Sequence, residues 1–199
     1  MKKLFVMALV AAALGACDSE PKFKVEGDVK DADGKMLYLE ASALEGIVPL
    51  DSVKLGSAGS FSFKGARPES PEFYRLRIAG QIINLSVGST ETITIKASYP
   101  TMATSYTVEG SQECATIKEL ALKQIDLQSR IIALQRNNSV GFDETRDSID
   151  RMIDAYKQDI KLNYIYKAPM RSSSYFALFQ TLGNMLIFNP RENEDDIKA

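Results

Sequence analysis

There is no histidine among the 199 residues, and no tryptophan. Without imidazole there is no Ser-His-Asp triad, no His-containing zinc site and no unassisted charge change near neutral pH. That removes many hydrolase and metalloenzyme chemistries together. Cysteine is nearly as scarce. Cys17 and Cys114 are the only two, too few for a disulfide framework and not arranged as a Cys-x-x-Cys redox pair. Long hydrophobic runs are missing as well: the longest, Leu4 to Gly15, falls well short of the ~20 residues a membrane-crossing helix requires. Nor is there a charge excess of one sign, with 24 basic against 26 acidic side chains and a formal net charge of −2. This balance argues against the basic face that nucleic acid demands, and no nucleic-acid partner is expected. No cofactor or metal is expected either.

What is present begins with a processing signal. Met1-Lys2-Lys3 is followed by the apolar stretch and then by Leu14-Gly15-Ala16-Cys17. The order is a charged region, an apolar region and small residues before a cut site. A cysteine in that position resembles the lipobox of bacterial lipoproteins. The resemblance implies that residues 1–16 are removed and that Cys17 carries a diacylglyceryl group and an acylated amine. The chain is then held to a membrane outside the cytoplasm, with the periplasmic face favoured. The competing reading is a secretory signal with an incidental cysteine. Acyl burial at about 0.8 kcal/mol per methylene makes three chains a lasting anchor. Residues 17–21 serve as the anchored linker. Five residues from Asp18 to Lys22 reach at most ~17 Å, so the folded part is expected close to the bilayer.

From residue 22 to residue 109 apolar side chains recur with period two. Phe23 and Val25 are followed by Leu37 and Leu39, Val53 and Leu55, and Phe61 and Phe63. Then come Tyr74-Leu76-Ile78, Ile83-Leu85-Val87, Ile93-Ile95 and Tyr106-Val108. Turn signals such as Asp33-Gly34, Glu45-Gly46 and Ala79-Gly80 separate the runs. About eight short strands in this span predict an antiparallel β-sandwich or open barrel.

Residues 110–190 change period. Ser111 can cap a helix with Glu113 in its first turn and Ile117, Leu120, Leu127, Ile131 and Leu134 on one face, Gln124 being the polar intruder. This helix is expected to end near Asn137-Asn138. Asp143 can cap a second helix carrying Ile149, Ile153, Tyr156, Ile160 and Tyr164, which Pro169 stops. Ser172 or Ser173 opens a third, expected to run through Leu186 to Asn189-Pro190. The fold class is thus α+β, a sheet domain followed by a three-helix segment. Residues 191–199 form an acidic tail with Glu192, Glu194, Asp195 and Asp196, expected to start a further segment.

Few residues invite a chemical role. Cys114 falls in the first turn of a helix, where the dipole can lower a thiol pKa, so it is a candidate reactive thiol; the bland reading is a small packed side chain. Asp51 and Ser52 lie inside a strand pattern, where aspartate is unfavourable. They are candidate ligand contacts, or else satisfy backbone groups at a bulge or strand end. No catalytic residue is assigned.

Several local stretches carry a second resemblance: Phe23 to Val29, Leu37-Tyr38-Leu39, Leu50-Asp51-Ser52, Gly59 to Gly65, Pro71 to Leu76, Val108 to Ser111 and Ser173 to Leu178. Together they resemble the β-rich domain of unknown function, with its helical linker, found in envelope lipoproteins that carry a thioredoxin-like domain of the TlpA/ResA type. The resemblance implies a thiol-disulfide oxidoreductase in the full-length relatives, while the Cys-x-x-Cys of that domain has no counterpart here. The expected function is a non-catalytic docking and positioning module, engaging client proteins or a second copy. The alternative is a stand-alone envelope lipoprotein that binds a peptide or glycan.

Overall fold

The computed structural model describes residues 21–43, 45–137 and 141–188. Cys17, residues 1–16 and the tail 191–199 lie outside the described residues. The alternating region forms eight strands: β1 (Lys22–Lys30), β2 (Met36–Ala43), β3 (Gly46–Lys54), β4 (Ser60–Ala66), β5 (Glu72–Ile78), β6 (Gln81–Val87), β7 (Thr92–Ser98) and β8 (Tyr106–Glu109). They divide into sheet I, in the order β4-β1-β7-β8, and sheet II, in the order β3-β2-β5-β6. The sheets are open, not a closed barrel, and their facing rows make one core. Phe23, Val25, Phe63, Ile93 and Ile95 come from sheet I, and Leu37, Leu39, Leu76, Ile83 and Leu85 from sheet II. Each such side chain taken from water contributes about 1.5–3 kcal/mol.

One pairing departs from the antiparallel expectation. β1 runs parallel to β7, with Val25 beside Ile93 and Gly27 beside Ile95. Parallel neighbours need a long crossover, and here sheet II and β4 supply it. Gly27, with φ of 146°, lies where the backbones crowd: a Cβ there would overlap the Ile95 carbonyl.

The helix α1 (Gln112–Gln135) starts as the sequence predicts. Ser111 is its N-cap, and its side chain accepts a hydrogen bond from the Cys114 N–H at 3.3 Å. Twenty-four residues at 1.5 Å each make a rod of about 36 Å. Cys114, near one end, belongs to the sandwich core. Leu120, Leu127 and Ile131 belong to a second core, shared with Tyr156, Ile160, Ile165 and Phe188. The helix thus joins the two cores.

The helix α2 (Phe142–Ile160) starts from Gly141 instead of Asp143, which sits in its first turn. It continues into a π-helical turn, Lys161–Ile165, where the Tyr166 N–H donates to the Lys161 carbonyl. The third helix is much shorter than expected. α3 (Ser172–Leu178) has seven residues. A hairpin of β9 (Thr181–Leu182) and β10 (Met185–Leu186) takes up the rest, turning at Gly183 with φ of 61°. Uniform apolarity without a clear period does not separate helix from strand, and a left-handed glycine decides for the turn.

Polar side chains hold this second unit together. Gln124 Nε2 donates to the Thr181 carbonyl. The buried Gln180 donates to the Leu120 carbonyl and accepts from the Tyr156 hydroxyl at 2.6 Å. Glu113, in the first turn of α1, accepts from the Ser173 N–H and from Arg171, so a carboxylate of one helix caps the start of another. Among the described residues no helix is long and apolar enough to cross a membrane.

Candidate functional site

The four outer strands of the sandwich are treated differently, and the difference locates the candidate site. An edge strand presents unpaired N–H and C=O groups that can template another chain. At β6 the edge is occupied by α1. The Cys114 thiol donates to the Ser86 carbonyl at 3.2 Å and accepts from the Ser86 N–H at 3.4 Å. At β8 the chain turns directly into α1. On β4 the exposed row is polar, Ser60, Ser62 and Lys64.

Among the described residues β3 has neither a covering element nor a polar exposed row. All of its residues but Val53 are exposed, and three of them are large and apolar: Ile47 at 44%, Val48 at 46% and Leu50 at 51%. Its register with β2 slips by one residue: Leu39 faces Asp51 while Glu40 faces Pro49, which leaves Leu50 as the bulged residue. Proline has no N–H to offer and is tolerated at an edge. Together they divide the open edge into two short rungs.

Asp51 and Ser52 both fall on this strand beside the bulge. The Asp51 carboxylate accepts from the Ser52 N–H at 2.7 Å, the backbone-satisfying arrangement that aspartate favours at irregular strand positions. Both remain exposed, next to the open edge.

The outward row of sheet II holds a charge cluster that sequence reasoning missed. Glu40 is 2% exposed although it points away from the core. Arg75 Nε donates to its Oε2 at 2.5 Å, and Arg77 Nε to its Oε1 at 2.8 Å. The Arg77 guanidinium also stacks over the Tyr38 ring, 4.5 Å from its centre. The arginine side chains keep 22% and 27% of their surface in water while that of Glu40 keeps 3%, so the carboxylate lies beneath the two guanidinium groups. Arg77 above all, with Arg75, holds the Glu40 carboxyl below the usual carboxylate range, against the opposing effect of burial. The sequence signal was weak: Tyr74-Arg75-Leu76-Arg77-Ile78 alternates as any half-buried strand does, and the partner lies 35 to 37 residues away.

Cys114 is packed, not presented. It is 1% exposed. Burial pushes its thiol up, and the hydrogen bonds with Ser111 and Ser86 offset only part of that. A helix N-terminus lowers a thiol pKa only where the thiolate can be solvated. Alkylation of Cys114 by iodoacetamide is therefore expected to require unfolding, with the labelling rate across a urea series tracking the unfolding transition seen by circular dichroism. Rapid labelling of the native protein would contradict the packing described.

A groove of about 630 Å3 runs between α1 and α2 over Leu127, Met152 and Tyr156. Two of its rim cations face rim carboxylates, Lys123 pairing with Asp159 at 2.8 Å and Arg130 lying 3.8 Å from Asp126, while Arg151 donates to the Asp147 carbonyl and the Ser148 hydroxyl. Among the described residues no group of His, Cys, Asp and Glu is arranged to hold a metal.

The open β3 edge and the arginine-bearing face beside it therefore form the best-supported candidate site. No curated protein matches the chain. Residues 23–115, which comprise nearly all of the eight strands and end one residue past Cys114, match the family described as "Domain of unknown function (DUF4369)".

Proposed function

We infer that this chain is a membrane-tethered docking and positioning module of the cell envelope, without catalysis of its own. In this reading acylated Cys17 holds the sandwich near the bilayer, and α1 carries the helical unit at a set distance from it. The module serves a thiol-disulfide oxidoreductase domain of the thioredoxin type, whose Cys-x-x-Cys is not in this chain. The reading rests most on the unequal edges of sheet II, with β6 closed by a helix and its thiol while β3 is left open and apolar. An open edge of this kind accepts an extended segment by adding a strand.

Hydrogen exchange tests it. Adding reduced, carboxymethylated ribonuclease as an unfolded client is expected to slow amide exchange along β3 and leave β4 unchanged. Equal effects on both edges, or none, would refute docking at β3. Insulin-reducing turnover that survives Cys114→Ser would refute the non-catalytic assignment. The anchor has its own test. Cys17→Ser is expected to move the protein from the membrane pellet to the soluble fraction of lysed cells, and retention in the pellet would remove the tether.

The arginine-bearing face also suits a second reading, a stand-alone envelope protein that binds a peptide or glycan there. An in-frame Cys-x-x-Cys region downstream of Ala199 in the coding sequence excludes it.

A further inference from the structure

We propose that Arg75 and Arg77 form a carboxylate-binding site on the outer face of sheet II, and that its guest is an acidic side chain of the extended segment docking at β3. The inference rests on the docking reading above and adds the chemistry of the guest.

The cluster is built, not incidental. A residue on the water-facing row of a sheet needs no partner, yet Glu40 is buried there beneath two guanidinium groups. One arginine would have neutralised it. Two leave a surplus positive charge held in place. Arg75 is gripped through its Nε. Arg77 is gripped through Nε and Nη2, both near Oε1, and lies flat on Tyr38. Both arginine side chains keep about a quarter of their surface in water. Each guanidinium offers five donors in a planar fork that matches a carboxylate. Orienting the arginines beforehand removes most of the entropy cost of gripping a guest.

A single carboxylate balances the surplus charge. Position supplies the rest. The guanidinium groups lie over β2, which carries Glu40, and β2 is hydrogen-bonded to β3. An added strand lies two strand spacings, about 9.6 Å, from β2, so a long acidic side chain such as glutamate, pointing back over Ser52, covers part of that gap and the terminal nitrogens of the arginines must extend toward β3 to close it. Ser52 is exposed on that row, directly opposite Tyr38.

The test uses the full mature chain, labelled with 15N, in detergent micelles. The probes are an acetylated, amidated octapeptide of alternating Thr and Val with one central Glu, its Gln counterpart, and sodium acetate. The Glu peptide is expected to shift the arginine Nε–H resonances together with the β3 amides, and to bind at least tenfold more tightly than the Gln peptide. Arg75→Lys and Arg77→Lys, which keep the charge but lose the fork, are expected to reduce that preference severalfold. Equal binding of the two peptides with β3 shifts overturns the carboxylate site and leaves edge docking standing. No β3 shift with either peptide overturns both. Acetate binding as tightly as the Glu peptide overturns the peptide guest and makes a small free acid the ligand. The wild-type comparison decides the matter even if a lysine variant fails to fold.

Discussion

Replacing Gly27 with alanine is expected to destabilise the protein by about 3 kcal/mol, seen as a lower urea midpoint with an unchanged slope. Two costs combine. At φ of 146° an L side chain is strained, which destabilises by more than the ~1 kcal/mol that a compatible Gly-to-Ala change would gain. The added Cβ also meets the Ile95 carbonyl, so β1 and β7 must part at the centre of sheet I, and overpacking of that kind costs about 1–3 kcal/mol. Far-UV circular dichroism is the suitable probe, because the chain has no tryptophan. A variant as stable as the parent would mean that the parallel pairing at Gly27 is not as described.

Glu40→Gln is the second large effect, and it depends on pH. Glutamine keeps the shape but removes the charge that separates Arg75 from Arg77. Breaking a buried pair costs 3–5 kcal/mol when the remaining charge is sealed from water. Both arginines keep about a quarter of their surface exposed, so the expected loss at pH 7 is nearer ~2 kcal/mol. The sign follows from the lowered Glu40 pKa. A carboxyl with a lower pKa folded than unfolded contributes stability above its ordinary value of 4.5, and that contribution fades as pH falls through the folded value. The parent is therefore expected to lose more stability than the variant between pH 6 and pH 3. Asp159, whose pKa Lys123 also lowers, stays in both proteins and keeps some acid sensitivity in the variant. Parallel acid limbs in urea titrations of the two proteins would remove Glu40 from the stabilising network.

The strands were legible because each one is half buried, and a half-buried strand must alternate. Phe23-Val25, Tyr74-Leu76-Ile78 and Ile83-Leu85-Val87 all point inward as their spacing requires. The start of α1 was legible for an equally local reason: Ser111 caps within three residues of itself. The third helix was legible at its start, Ser172, but not in its extent. Phe176, Leu178, Leu182 and Leu186 suit a helix or a hairpin alike, and Gly183 settles the matter by turning left-handed.

The candidate site was legible only in part. Asp51 and Ser52 drew attention because aspartate is out of place in a strand, and the bulge explains it. Glu40, Arg75 and Arg77 did not, since each looks like an ordinary solvated residue on its own strand. Cys114 stood as a candidate reactive thiol beside the reading of a small packed side chain, because its helix position is local information, whereas the strand it caps, through Ser86, is 28 residues away.

Periodicity and turn residues by themselves determined the eight strands of the sandwich, the two long helices and the change from sheet to helix after Glu109. They act over a few residues, and so does the physics that sets them. Strand order belongs to the tertiary structure alone. It made β1 a parallel neighbour of β7, closed β6 with a thiol, left β3 open and brought one carboxylate beneath two arginines. Those outcomes depend on which distant segments share a sheet, and side-chain alternation is the same whichever neighbours are chosen.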